Sequence, residues 1–211
     1  YALNTLGAAT GCLITGFFLM GTFGVLQTVL LAAGANLLIG IGALSIYLET
    51  VPGANWKFRL PPLRTPRLDW NADQKFWMGI SFICGFTALA YEVLWTRLLV
   101  FSISSTVYSF SMMLTVFLLG IFLGSLLLIP LAGRIHNVRT ALLLLQGGTG
   151  LYVIGSIYGI ESILSAPWNG YNLTQPLSAF LRYFKDSAGL MLIPTLFLGM
   201  CFPLLIKTVS G

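Results

Sequence analysis

Long apolar runs dominate this sequence, and each is about the length that a helix needs to cross a bilayer. In hydrocarbon every backbone N–H and C=O must find a partner inside the protein, so an α-helix is the structure that one such run forms alone. About 20 apolar residues suffice for one crossing. We count about six runs, at residues 3–23, 26–48, 76–101, 107–131, 140–160 and 188–206. The sequence therefore predicts an all-α fold, a polytopic transmembrane helical bundle of about six spans.

The composition indicates that lipid is the main solvent of this chain. Of its 211 residues, 57% are hydrophobic and 8% are charged, whereas soluble domains carry about 25% charged residues. The formal net charge of +5 comes from basic residues in short connections between apolar runs. That pattern orients a membrane protein and does not indicate a nucleic-acid partner. The expected partners are the lipid bilayer and other membrane helices or subunits, and no nucleic acid.

One segment, residues 49–75, has a composition unlike that of the spans. It contains four prolines and many charged side chains, so it cannot stay in hydrocarbon. We expect a basic, Pro-rich cytoplasmic linker here, after two transmembrane helices in residues 1–48 that end one helical unit. Residues 76–211 then form a four-helix transmembrane unit. Within it, an aromatic and charged segment near residues 163–187 is expected to lie along the external interface, where Trp and Tyr rings are favoured.

Positive charge predicts the orientation of the spans. The linker, the turn from Arg134 to Arg139 and the end near Lys207 are basic, while the turns near Gly21 and Ser104 carry no charge. The positive-inside rule places the basic segments in the cytoplasm. With six spans, both ends of the sequence are then cytoplasmic, and the expected location is a bacterial-type cytoplasmic membrane.

The third run contains a carboxylate and a guanidinium. A charge in the centre of a bilayer costs at least about 2.5–3.5 kcal/mol on insertion scales, so such groups usually face a partner, a cavity or an interface. Glu92 falls beyond the midpoint of the run and Arg97 near its far end. The candidate buried polar site consists of these two residues with neighbouring aromatic and amide groups: Glu92, Arg97, Tyr91, Trp95 and Asn4.

Glu92 and Arg97 are five residues apart, so they differ by about 140° around an ideal helix and by about 7.5 Å along it. Favoured pairs within a helix are three or four residues apart, and we expect each of the two to find a separate partner. Arg97 can extend to the headgroups. Glu92 is expected to accept hydrogen bonds from Ser or Thr in residues 102–111 or from Asn4, or to be protonated. Two interpretations stay open, a polar clasp between helices and a substrate or proton site.

Small residues at GxxxG spacing predict places where two helices approach closely. They occur in three of the runs: Gly7 and Gly11, Gly120 and Gly124, Gly155 and Gly159. We expect each pair to pack against a neighbouring helix.

Other motifs do not indicate chemistry. Cys12, Cys84 and Cys201 lie in apolar runs without CxxC spacing, so they read as core residues and not as metal ligands. The sequence QGGTG at residues 146–150 resembles a nucleotide-binding loop, but apolar residues follow it, whereas a dinucleotide fold needs an amphipathic helix and a later acidic residue. We therefore predict no catalytic residue, no metal site and no cofactor.

Residues 85–99 read GFTALAYEVLWTRLL, which resembles the signature of the membrane domain of fused, multi-spanning spermidine synthase-like proteins. Residues 117–125, FLLGIFLGS, agree with that resemblance. Residues 1–11, YALNTLGAATG, are similar to a later helix of the family, and residues 199–204, GMCFPL, to the helix that precedes it. The resemblance implies a repeated architecture within a longer protein and a fold labelled as major-facilitator-like. The family often adds a soluble domain resembling polyamine aminopropyltransferases, whose motifs this sequence lacks.

Together, the residues and the resemblance predict a non-catalytic integral membrane module of a spermidine synthase-like fused protein. Its role would be transport-type or anchoring, with an unknown cargo. The alternative is an accessory or structural subunit packed in a larger membrane protein complex. Catalysis within this sequence is not expected, because the aminopropyltransferase domain is absent and no cluster of catalytic groups takes its place.

Overall fold

The computed structural model describes residues 2–50, 72–103, 105–135, 137–164 and 176–210. All the regular elements in these residues are helices, as the sequence predicted. They are α1 (Ala2–Ile14), a π-helical turn (Thr15–Leu19), α2 (Met20–Thr50), α3 (Ala72–Ile103), α4 (Thr106–Leu131), α5 (Val138–Leu164) and α6 (Pro176–Ser210).

Five helical segments in the described residues are long and apolar enough to cross a membrane. They are Ala2–Thr50, Gln74–Ile103, Thr106–Leu131, Val138–Ile160 and Phe180–Ile206. The first has 49 residues and covers the first two predicted spans, so five segments stand where the sequence predicted about six spans. The chain is therefore a multi-pass helical membrane protein.

The chain divides into two compact units, of which one is Leu19–Trp70. Its described part is α2 with the residue before it. Gly24 has φ 75° and ψ 174° there, a backbone conformation that is essentially restricted to glycine. The helical path is interrupted at this residue, within the turn predicted at residues 21–24. Beyond it, large apolar side chains such as those of Leu37, Leu38 and Ile39 are exposed.

The other unit contains residues 1–18 and 71–211, with α4 at its centre. α4 packs against α1, α3 and α6, while α5 packs against α6 and α3. Fully buried side chains lie on α4 and on α6, where Met112, Met113 and Val116 of α4 and Met191 of α6 have no exposed surface. One apolar cluster joins α3, α4 and α6 at this level, and a second joins α3, α4, α5 and α6 nearer the start of α3.

α1 lies in the same compact unit as α3–α6, because small residues of α1 and of the π-helical turn fit closely against α4. The helical unit predicted for residues 1–48 stays a prediction. Thr5 and Ala9 are buried on α1, and Gly16 lies directly against Ser111 of α4. Hydropathy shows that residues 3–23 are apolar, but it does not show which helix they contact.

Two predicted connections lie partly outside the described residues. α2 ends at Thr50 and α3 begins at Ala72, so residues 51–71 of the predicted linker cannot be placed. Residues 165–175 of the predicted interfacial segment are also outside them. α6 begins at Pro176, 12 residues before the predicted start of the sixth span. The charged residues Arg182 and Lys185 therefore belong to a helix, and their side chains are exposed.

Candidate functional site

An aromatic column on one face of α3 holds the predicted site against α4. Tyr91, Trp95 and Leu99 follow one another at four-residue spacing, so they share one helix face. Trp95 is buried and its ring meets the edge of Phe117 on α4 at a centroid distance of 6.5 Å. Tyr91 is half-buried and stacks on Trp95 with centroids 5.3 Å apart. Both aromatic residues of the candidate site thus serve helix packing.

Glu92 lies at the side of this packed face and is half-buried. Three residues separate it from Trp95, which corresponds to about 60° around the helix. Its backbone carbonyl accepts a hydrogen bond from the hydroxyl of Thr96 at 2.8 Å. In the part of the chain that the structure describes, no hydrogen bond or ion pair joins its carboxylate to another residue. The carboxylate is therefore held at the edge of the α3–α4 interface.

Arg97 lies on the opposite side of α3, about 160° from Trp95, and is exposed. The structure does not bring its guanidinium together with the Glu92 carboxylate. This follows from their five-residue spacing, which keeps them on different faces of one straight helix. From that outward position the long side chain of Arg97 can run along the helix surface to the headgroups.

Of the predicted hydrogen-bond donors for Glu92, Ser109 is used elsewhere, and Asn4 lies on a helix that does not contact α3 in the described residues. The hydroxyl of Ser109 donates to the backbone carbonyl of Leu99 at 3.1 Å, and both atoms are buried. That contact is a polar clasp between α3 and α4, made by residues that the sequence analysis did not pair. Asn4 is exposed on α1, and among the described residues α1 contacts α4 and not α3.

The closest helix contact in this unit is the seam between α4 and α6. A Cβ atom added to Gly120 would clash with the side chain of Thr195, and one added to Gly124 would clash with the backbone carbonyl of Leu196. Gly199 approaches α4 from the other side, because a Cβ there would lie 2.5 Å from the carbonyl oxygen of Ile121. Residues further along α4 contact residues further along α6, so the two helices run parallel.

Only one of the three predicted GxxxG pairs makes such a contact in the described residues. The pair at Gly120 and Gly124 packs against α6. A Cβ added to a glycine of the other two pairs, at residues 7 and 11 or 155 and 159, meets no described atom within 4 Å. These positions are open on the surface of the unit.

A second polar contact joins three helices through Gln146, an amide within a span for which an interhelical hydrogen bond is the simplest expectation. The side-chain amide nitrogen of Gln146 on α5 lies 2.8 Å from the sulfur of Cys84 on α3. It lies 3.8 Å from the sulfur of Cys201 on α6. The only signal in the sequence was the presence of an amide within a span, since such a group needs a hydrogen-bond partner at that depth. Sequence separation gave no indication that the partners are thiols.

Surface grooves of the described residues include one between α3 and α5, one between α5 and α6, and one along α2. Their linings are mostly apolar, and none of the three includes Glu92. Within the described ranges, no group of three His, Cys, Asp or Glu side chains is placed to hold a metal ion.

Comparisons with known proteins give no relative for this chain. Neither protein-family models, nor curated proteins, nor solved structures contain a match.

Proposed function

We propose that this chain is a non-catalytic integral membrane module of a spermidine synthase-like fused protein, with a role in anchoring. The family assignment rests on the resemblance of residues 85–99 and 117–125. In such an architecture the helices hold a soluble aminopropyltransferase-like domain, or the rest of the protein, at the membrane surface. The basic turn near Arg134 and Arg139 faces the cytoplasm in this proposal, in keeping with the positive-inside rule.

The observation that carries the anchoring role is the dense packing around α4. Met112, Met113, Val116 and Met191 have no exposed surface and lie in one apolar cluster. The α4–α6 seam next to them is closed by glycines in backbone contact. A transport path needs polar groups that line a water-filled cavity, and the middle of this unit is filled by methionine and valine. Such an interior suits a rigid support.

A transport-type role is the second candidate, and the position of Glu92 favours it. The carboxylate is half-buried at the edge of the α3–α4 interface without a partner in the described ranges. An additional helix beside it could complete a cavity for a cation. The third candidate is an accessory or structural subunit packed in a larger membrane protein complex.

Proteoliposomes separate anchoring from transport. The full protein is reconstituted and uptake of radiolabelled putrescine and spermidine is measured, with Glu92→Gln and Arg97→Gln as variants. Anchoring predicts uptake equal to that of protein-free liposomes for all three proteins. Saturable uptake that Glu92→Gln abolishes at unchanged thermal stability, while Arg97→Gln retains it, would replace anchoring with transport.

Extraction from native membranes separates anchoring from an accessory role. If the chain is an anchor, an aminopropyltransferase-like domain is recovered with it in a mild detergent. That domain is then either part of the same polypeptide or a separate polypeptide present at a fixed ratio to the chain. Mass spectrometry of the purified particle identifies that domain. Recovery instead with a fixed set of other membrane subunits and no such domain would favour the accessory role.

A further inference from the structure

The groove between α3 and α5 combines an apolar wall with one cationic group. Its volume is about 310 Å³, at the lower end of the roughly 300–1,000 Å³ typical of ligand pockets. Phe76, Trp77 and Ile80 line it from α3, and Leu142 and Leu143 from α5. Arg139 is the charged residue in the lining. A ligand that fits must therefore be apolar along most of its length and anionic at one end.

Arg139 marks the headgroup end of the groove. It is the second residue of α5, and its guanidinium lies over the Trp77 ring at 5.7 Å from the centroid. Tryptophan and arginine at the end of a membrane helix are typical of the interface between hydrocarbon and headgroups. A guanidinium has five N–H donors in its plane, so Arg139 can stack on Trp77, keep its further interaction and still offer donors to a phosphate.

The surroundings of Arg139 are positively charged. The start of α3, the segment after α4 and the start of α5 meet here, because Trp77, Ile135 and Val138 belong to one apolar cluster. The sequence of these segments, residues 72–80 and 134–139, carries Lys75, Arg134 and Arg139 against one carboxylate, Asp73. This excess of basic residues favours an anionic headgroup over a zwitterionic one.

The other end of the groove lies deeper in the span. Gln146 is seven residues beyond Arg139, which corresponds to roughly 10 Å along the helix. Its amide nitrogen is already directed to the sulfurs of Cys84 and Cys201. The deep end of the groove therefore suits methylene groups.

From these features we infer that the α3–α5 groove binds one anionic phospholipid, with an acyl chain along the groove and the phosphate on Arg139. Arginine suits this task because its planar donors match phosphate oxygens in pairs. The inference does not depend on the anchoring role, since a transport module or an accessory subunit would present the same groove. Because Arg139 lies at the basic turn, the bound lipid belongs to the leaflet on that side of the membrane.

Native mass spectrometry tests this site with the purified full protein and defined lipids. The probes are dioleoyl phosphatidylglycerol and dioleoyl phosphatidylcholine, titrated separately in detergent. We expect one phosphatidylglycerol to bind more tightly than phosphatidylcholine. Arg139→Gln should weaken phosphatidylglycerol binding roughly fivefold, the usual effect of one basic residue near an anionic surface.

Arg97→Gln is the control for the charge removed by Arg139→Gln, and Phe82→Trp is the control for the bulk added by a further test variant, Ile83→Trp. Arg97→Gln removes the same charge from an exposed position outside the groove and should leave binding unchanged. Ile83→Trp fills the groove, because Ile83 lines it, and should weaken binding. Phe82→Trp changes the neighbouring exposed residue, which is outside the lining, and should not. Thermal melting confirms that each variant is folded.

Several outcomes would overturn the inference. Equally tight binding of the two lipids would show that the site does not distinguish their headgroups. Equal loss in Arg139→Gln and Arg97→Gln would reduce the effect to net charge. Displacement of phosphatidylglycerol by millimolar inorganic phosphate would show that the site selects the anion alone, without the acyl chain. Unchanged binding in Ile83→Trp would place the lipid elsewhere.

Discussion

Ser125 on α4 donates a hydrogen bond to the backbone carbonyl of Gly199 on α6 at 3.1 Å. The same hydroxyl lies 2.8 Å from the carbonyl oxygen of Ile121 in its own helix. A serine side chain is short, so it reaches a backbone carbonyl of another helix only where the two backbones nearly touch. Gly124 and Gly199 permit that approach. Apolar side chains gain little by contacting each other instead of lipid tails, so van der Waals packing and such hydrogen bonds must stabilise the seam.

The first prediction concerns the seam. Gly124→Ala places a Cβ against the carbonyl of Leu196, which is backbone and cannot rotate away, so one helix must shift. We expect a loss of about 1–3 kcal/mol of stability, as for other overpacked interiors. The measurement is unfolding in detergent followed by circular dichroism. The matched control is Gly155→Ala, which meets no described atom and should leave stability unchanged or raise it. Similar destabilisation by both variants would contradict the seam.

The second prediction compares two buried serines. Ser109 uses its hydroxyl to clasp α3 to α4, whereas the hydroxyl oxygen of Ser187 is buried without a hydrogen-bond partner in the described residues. Ser109→Ala should lower stability by about 0.6 kcal/mol, the average for interhelical hydrogen bonds in a membrane protein. Ser187→Ala should be neutral or stabilising, because it removes an unsatisfied polar group. Thermal melting of both variants in one detergent provides the comparison, and a larger loss for Ser187→Ala would refute the assignment.

The third prediction concerns the aromatic column. Trp95→Ala removes a buried ring that contacts both Tyr91 and Phe117. We expect a loss near the lower end of the roughly 3–5 kcal/mol found for large aromatic truncations, because lipid tails partly replace the lost contacts. Phe86→Ala removes an exposed aromatic side chain from the same helix and should change stability little. The readout is the denaturant midpoint, and equal midpoints for the two variants would show that the column does not stabilise the unit.

The fourth prediction concerns topology. Thr106 begins α4 and Gly133 follows its end, and both are exposed. The 26 residues of α4 extend over about 39 Å, more than the roughly 30 Å hydrocarbon core. Single cysteines at these positions, in a background without Cys12, Cys84 and Cys201, should react with a membrane-impermeant maleimide from opposite sides. The positive-inside rule predicts that Gly133→Cys is the cytoplasmic one. Labelling of both from one side would exclude a membrane-crossing α4.

Hydropathy was sufficient to predict the helices and most of their extent. Residues 107–131 were predicted as a span and α4 covers Thr106–Leu131. The interruption near Gly24 could be foreseen because glycines and the absence of charge mark a turn within one apolar stretch. The start of α6 was less predictable. The segment that contains Arg182 and Lys185 was expected along the interface, before the sixth span, but a helix can continue beyond the hydrocarbon with its charged side chains exposed.

The contacts of the candidate site could not be predicted from the sequence. Spacing along one helix correctly separates Glu92 from Arg97, since it depends only on helix geometry. Partners on other helices depend on which faces meet, and an apolar all-round helix gives little periodicity to reveal its contact face. Ser109 therefore pairs with a carbonyl and not with Glu92, and Gln146 contacts two thiols. For the same reason the sequence predicted a helix contact for all three GxxxG pairs, whereas in the described residues only the pair at Gly120 and Gly124 makes one.

The parallel arrangement of α4 and α6 has a consequence for synthesis of the protein. The ribosome completes α4 at Leu131 and α6 at Ser210, 79 residues later. At about 5–20 residues per second, α4 exists for roughly 4–16 s before its main contact partner has been made. During that interval the glycine face of α4 is open to lipid or to another nascent helix, and α1 and α3 are already available to cover other faces. Assembly of this unit must therefore be completed by insertion of its last helix, and a chain truncated before Gly199 would leave the seam unformed.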